Sequence, residues 1–323
     1  MRRGRSVRGF ALLSALWLLV ALSALALEVS VVARHRRLIV ANTLESVRGE
    51  RAAASGVEHE RARLARLPVR GGDGASWNGA GSAVDPWQHA GSSATDTVAL
   101  GDDAFYAVAS VDVGTLVNIN VVDEVGLSRF LTASSIDPMT ADALAQAIMD
   151  WRDADDFRRL RGAERDDYIK NGARELPSNG PFEAADQLRF VRGMSRSILS
   201  HIEPQLTVVG SGQVNVNKAS EPVLLSLPGM TTLAAAAIAG AQRGHRRIEN
   251  LRQLLDLLPV PARMALEQNP IGAARLAFET HELELRSVGW LKGSPVRVHE
   301  TALVTRIGTT PLVTWRRTER DFP

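Results

Sequence analysis

The sequence predicts an α+β protein: one long N-terminal helix packed on an antiparallel sheet, with a large α-helical block inserted between two strands of that sheet. Three observations predict it. An apolar run opens the chain, strand-like segments occupy residues 104–122 and 282–317, and the stretch between them reads as helices and loops. Strands at both ends leave unpaired edges, and these are satisfied together only when early and late strands share one sheet.

The helix comes first. Residues 10–27, FALLSALWLLVALSALAL, are broken only by Ser14 and Ser23 and continue through Glu28 to Ala33. As a helix, that length crosses a hydrocarbon core of ~30 Å. Leu38, Ile39, Val40, Leu44 and Val47 carry an apolar stripe onward at helical spacing, and charged residues dominate from Glu50 to Arg63. The spacing predicts one helix over 10–67, ended by Pro68 and Gly71-Gly72. A secretory signal peptide competes for the same run, with Ser23-Ala24-Leu25-Ala26 as its small-x-small cleavage site. Arg34, Arg36 and Arg37 beyond the run weaken the orientation signal of the arginines ahead of it.

Composition removes several function classes. The net charge of +2 falls to about −2 without Arg2, Arg3, Arg5 and Arg8, so the chain keeps no standing basic surface for nucleic acid. The absence of cysteine excludes disulfides, thiolate zinc sites and cysteine nucleophiles. HExxH, GxSxG, P-loop and dinucleotide fingerprints are all missing, and no enzymatic activity is expected.

Residues 68–97 have a linker composition, in which Trp77 and Trp87 are expected to pin the chain to the domain surface. Strands are expected at 104–113 and 116–122, joined by a hairpin turn at Asp112-Val113-Gly114-Thr115. Helices and loops follow over 136–280, the first opened by Asp137-Pro138 with Leu144, Ile148 and Trp151 on one face. Strands return at 282–291, 296–307 and 312–317.

Residues 150–168 form an acidic loop holding Asp150, Asp153, Asp155, Asp156, Glu164, Asp166 and Asp167. Seven carboxylates this close repel one another unless a cation offsets them, and five arginines are interleaved. Calcium ligation, a carboxylate pair for glycoside hydrolysis and an arginine-neutralised surface loop all fit the composition. The spacing is not that of an EF-hand, because the glycine at its sixth position is absent. No aromatic platform for a sugar lies nearby.

Residues 213–260 resemble a helix-hairpin-helix unit, with an upstream echo at 185–194. DNA-binding hairpins of that kind carry Gly-hydrophobe-Gly, so that backbone N–H groups reach a phosphate. Here the turn is Gly229-Met230-Thr231-Thr232, and five basic residues face three acids over the unit. Core packing is the reading of its apolar spacing. His245, between Gly244 and Arg246, is read as a solvated helix end.

Two resemblances extend this reading. The junction Arg8-Gly9-Phe10 resembles the type IV prepilin and pseudopilin signal. That resemblance implies processing between Gly9 and Phe10 by a prepilin peptidase, methylation of the new amino terminus, and retention of the helix as an anchor. The fifth mature position, usually glutamate in that family, is Ser14. The order Asp-Trp-x-Asp-x-Asp-Asp, Gly-Ala-Glu, Asp-Asp-Tyr across residues 150–168 is similar to the signature of the minor pseudopilin K family of type II secretion. Arg165 is inserted in it, and Ile169 replaces a second tyrosine. The family resemblance implies calcium, with Asp153, Asp155, Asp156, Glu164, Asp166 and Asp167 as ligands. It also implies a division into leader 1–9, helix 10–67, a pilin-like α/β domain split between 68–135 and 281–323, and an inserted helical domain at 136–280. The implied function is a single-pass inner-membrane subunit with a periplasmic C-terminal domain. It would cap a pseudopilus tip and start its assembly, with other minor pseudopilins and the secretion platform as partners. The alternative is a membrane-tethered helix-hairpin-helix protein for DNA uptake.

Overall fold

A computed structural model of the protein describes residues 7–67, 87, 90, 96–308 and 310–321, with side chains of the first helix from Leu13 onward. Helix α1 runs unbroken over Val7–Ala65. Its side chains are exposed through residues 13–41, and burial begins with Ser46, Gly49, Ala52 and Ala53. One helix therefore lives in two environments, a bare apolar half and a half packed on protein. The expected pin Trp77 lies outside the described residues, whereas Trp87 is buried beside Arg306, whose guanidinium stands 5.6 Å from the ring centre.

The packed half of α1 rests on a five-stranded antiparallel sheet. Its early strands are β1 (Val98–Leu100) and β2 (Ala104–Asp112). Two short parallel pairs within the helical region use β3 (Val117–Asn118) with β4 (Leu206–Thr207), and β5 (Val214–Asn215) with β6 (Leu276–Ala277). The main sheet is completed by β7 (Glu282–Leu291), β8 (Arg297–Ile307) and β9 (Thr310–Asp321), in the order β1-β2-β7-β8-β9. Early and late strands thus meet directly, β2 against β7 from Ala104↔Leu291 to Asp112↔Leu283.

Small residues set the closeness of helix and sheet. A Cβ on Gly289 would overlap the backbone of Gly49 and Ala53, and one on Gly56 would strike Ser287 and Tyr106. Around this seam Val57, Leu64, Tyr106, Val108, Leu283, Leu285, Ala302 and Val304 form a buried cluster. Ion pairs tie its rim: Arg48 to Asp103 at 2.6 Å, Arg320 to Glu50 at 2.8 Å, and Arg316 to both Glu58 and Glu300.

Between β2 and β7 lies the helical region. Its helices are α2 (Glu124–Ala133), α3 (Pro138–Arg152), α4 (Arg165–Lys170), α5 (Arg196–Ile202), α6 (Glu221–Leu225), α7 (Thr232–Arg243), α8 (Leu251–Leu257), α9 (Val260–Glu267) and α10 (Pro270–Ala274). One continuous apolar core runs through them, from Val117 to Leu276. Helix α2 precedes the expected onset at 136. The hairpin expected at 112–115 does not form. Asp112 instead caps a 3₁₀ turn, accepting from Gly114 N at 3.0 Å, and only Val117–Asn118 is extended beyond it. The alternation in 116–122 sends Val117, Ile119 and Val122 into the helical core rather than onto the sheet.

The asparagines of that segment reveal an internal repeat, Val117-Asn118-Ile119-Asn120 matching Val214-Asn215-Val216-Asn217. Asn120 Nδ2 donates to Phe182 O at 2.9 Å and Val208 O at 3.0 Å, and Asn217 Nδ2 donates to Ile248 O at 2.8 Å and Phe278 O at 2.9 Å. Each tetrapeptide opens a short parallel pair and leads into two helices. The echo expected at 185–194 is a 3₁₀ turn over Ala185–Phe190 followed by a loop, and it is not this repeat.

Candidate functional site

Two places on the chain carry functional geometry, the bare half of α1 and the acidic loop between α3 and α4. The loop is framed from below by aromatics. Trp151 meets Tyr168 edge-on with centroids 5.3 Å apart and stacks on Phe182 at 6.3 Å, and Tyr168 Oη accepts from Arg192 N at 2.9 Å. Asp150, in the last turn of α3, is fully buried, and burial raises its pKa. Gly162 passes so close to this carboxylate that a Cβ there would overlap it.

Arg159 is the cation of the loop. Its Nη1 stands 2.7 Å from Asp150 Oδ1 and 2.5 Å from Asp153 Oδ2, and its Nε lies 3.2 Å from Glu124 Oε2. Burial works against the guanidinium charge, but the bonds to Asp153 and Asp150 outweigh it and raise its pKa. This accounts for Asp150 and for one oxygen of Asp153. It leaves Asp155 and Glu164 outside the ion pairs among the described residues.

Carboxylate oxygens of Asp153, Asp155 and Glu164 lie within 4.8 Å of one another. Asp153 Oδ1 and both oxygens of Glu164 are buried without a hydrogen-bond partner. Glu164, only 4% exposed, has its pKa pushed up to about 7, first by burial and then by repulsion from Asp150, Asp153, Asp156 and Asp155. Three converging carboxylates with orphaned oxygens fit a hard cation with oxygen ligands, supplemented by water or carbonyls. The other expected ligands lie outside this group of three. Asp156 accepts from Asn179 Nδ2 at 3.0 Å, Asp167 from Glu164 N at 3.2 Å and from Arg158 at 3.3 Å, and Asp166 is exposed on α4. The inserted Arg165 begins α4 with its side chain exposed and makes no ion pair among the described residues.

The hairpin turn between α6 and α7 is closed to an outside phosphate. Gly229 has φ +76°, and a Cβ there would meet Asn269 and the carbonyl of Ala265. Gly272 lies against Pro228 O, and Met230 is buried. The chain's own α9 and α10 occupy the approach that a DNA backbone would need.

The crossing between sheet and helical region is a buried polar knot that the sequence reading missed. Asp112 ends β2, and its Oδ2 accepts from Thr280 Oγ1 at 2.7 Å, Lys218 Nζ at 2.9 Å and Asn215 Nδ2 at 3.2 Å. These residues join both chain crossings, and the only sequence signal for them was the repeated asparagine motif.

The fold thus joins a helix bare along its apolar half to an antiparallel sheet on which small residues seat it. Residues 112–211 match the family model described as Type II secretion system (T2SS), protein K. A Type II secretion system protein K from Klebsiella pneumoniae is 26% identical over 133 residues, a match covering 36% of this chain and 40% of that relative's length. A solved chain from the GspK-GspI-GspJ complex of the enterotoxigenic Escherichia coli type 2 secretion system shares the fold, with a TM-score of 0.57. That likeness covers 89% of this chain and 99% of the other at 17% identity. Over these residues the chain is similar to the type II secretion system protein K family, and the match spans less than half the length of the curated relative.

Proposed function

We propose that the chain is a minor pseudopilin that starts assembly of a type II secretion pseudopilus and caps its tip, working by assembly and not by chemistry. The observation that carries this reading is the divided helix. Residues 13–41 of α1 are wholly exposed, and an 18-residue stretch of the helix reaches a mean hydropathy of 2.3, whereas the same rod beyond Ser46 is fixed to the sheet. Exposed apolar surface of this extent needs lipid or sister helices around it. In this reading a prepilin peptidase cuts between Gly9 and Phe10, and the helix then stores the subunit in the inner membrane, with the globular part periplasmic. The side chain of Phe10 lies outside the described residues.

The sheet is left after Asp112 and rejoined at Glu282, so we take residues 113–281 as the inserted unit. Its bulk supports a tip position, where no further subunit stacks above. The absence of a carboxylate at Ser14 agrees with that place. The solved relative occurs with GspI and GspJ, and we extend equivalent minor pseudopilins to this chain as partners. For the acidic loop we infer calcium held by Asp153, Asp155 and Glu164, with Asp156, Asp166 and Asp167 at its margin. The orphaned oxygens of Asp153 and Glu164 support that ion.

Because the chain has no cysteine, a single introduced one reports contacts unambiguously. Leu16→Cys or Leu27→Cys in cells is expected to form disulfide crosslinks with cysteines in the corresponding helix of a minor pseudopilin partner. Failure of every such pair, with both proteins present in the membrane, contradicts the assembly reading.

A further inference from the structure

We infer that the basic ring Arg34-His35-Arg36-Arg37 is a binding surface for the headgroups of anionic phospholipids, an inference that rests on the membrane-anchor reading of α1. The ring lies within unbroken helix, and all four side chains are exposed. A hydrocarbon layer of ~30 Å takes about 20 residues at 1.5 Å each. Counted from Phe10, where the apolar run begins, that layer ends near Val29, so Arg34 follows about 8 Å farther out, at the headgroup layer.

Among the described residues the ring has no carboxylate of its own to meet. None of the ion pairs among the described residues includes Arg34, Arg36 or Arg37. The nearest acids on the helix are Glu28 and Glu45, about 9 Å below and about 12 Å above at helical rise. Glu45 is already engaged, accepting from Ser294 Oγ at 2.5 Å. The sheet first touches α1 beyond this point, at Ser46 and Gly49, so among the described residues no other element shields the charges.

Geometry separates a lipid from a protein as the occupant. Successive helical residues are turned by about 100°, so four in a row encircle the rod at one height. A partner helix lies along one side and can meet one or two of them. A leaflet surrounds the rod and offers phosphate to all. Arginine binds phosphate bidentately, and long basic side chains at a span's end reach for the headgroup layer. Leu38, Ile39 and Val40, exposed just beyond, follow the ring in the same zone. The consequence is a subunit held at fixed depth, whose transfer from membrane to fibre requires release from anionic lipid.

The test uses the full chain reconstituted in phosphatidylcholine vesicles with trace spin-labelled lipids, read by electron paramagnetic resonance. Labelled phosphatidylglycerol is expected in the protein-restricted shell about threefold or more over labelled phosphatidylcholine, and 1 M salt is expected to weaken that preference. The variant R34Q/R36Q/R37Q is expected to lose the preference but keep the shell, and R34K/R36K/R37K to keep both. Equal occupancy by the two lipids in the unaltered chain, or an undiminished preference in the glutamine variant, overturns the inference while leaving the anchor intact. A chain showing no restricted lipid of either kind is not embedded, which overturns the anchor reading and this inference with it.

Discussion

Replacing Gly289 by alanine tests whether backbone closeness, rather than apolar area alone, seats α1 on the sheet. Gly289 lies in β7 opposite Val298, and its Cα faces Gly49 and Ala53 of the helix. The added Cβ would overlap backbone atoms on that helix, which no rotamer change can relieve. Overpacking of this kind costs about 1–3 kcal/mol, and more where backbone must move. Removing a strand glycine returns part of this, about 0.5–1 kcal/mol, through lost unfolded-state freedom. The balance is a destabilisation of up to about 2.5 kcal/mol, and more where backbone moves, at about 2–4 °C in Tm for each kcal/mol in a domain of this size. Gly240 in α7 is the control, because a Cβ there meets nothing within 4 Å. Gly240→Ala is expected to raise Tm slightly, alanine being the better helix former. Thermal unfolding of the detergent-solubilised chain, followed by circular dichroism, reads both. If Gly289→Ala matches Gly240→Ala in sign, the seam is not close-packed and the argument fails.

Other consequences follow from the buried charges and the leader. Asp112→Ala strands Lys218 at the crossing, which is expected to cost about 3–5 kcal/mol and to open the 113–116 turn to limited proteolysis. The raised pKa of Glu164 means its native form holds a proton that the unfolded chain has released between 4.5 and about 7. Stability from this group is therefore expected to fall as pH rises through that window, and Glu164→Gln to flatten the slope in urea titrations. Calcium is expected to raise Tm more at pH 7.5 than at pH 5, since protons compete for the ligands, and Glu164→Gln is expected to abolish the shift. Gly9→Val is expected to leave the leader attached, seen as unchanged electrophoretic mobility, and Ser14→Glu to lower secretion by disturbing the tip.

Much of the architecture was legible because it depends on local pattern. The helix over 10–67 follows from an apolar run continued at helical spacing, and the structure gives Val7–Ala65. The late strands follow from period-two alternation bounded by glycine and proline. Alternation misled at 116–122, where Val117 and Ile119 fill the helical core and Asn118 and Asn120 bond carbonyls 62 to 92 residues away. Such long-range bonds leave no trace in a local window, and the sequence reading places the duplicated unit at 185–194 rather than in the repeated asparagine tetrapeptides. Within the acidic loop, composition identified the carboxylates but not which converge. That depends on Arg159, which draws Asp150 and Asp153 together and so fixes the path that brings Glu164 to Asp155.

The retained anchor decides the account, and the amino terminus of the mature protein tests it most directly. Mass spectrometry of the membrane-extracted chain is expected to find a terminus at Phe10 carrying a methyl group. A terminus beyond Ala26 would mean that the apolar half of α1 is discarded, leaving a free periplasmic protein with no rod to assemble.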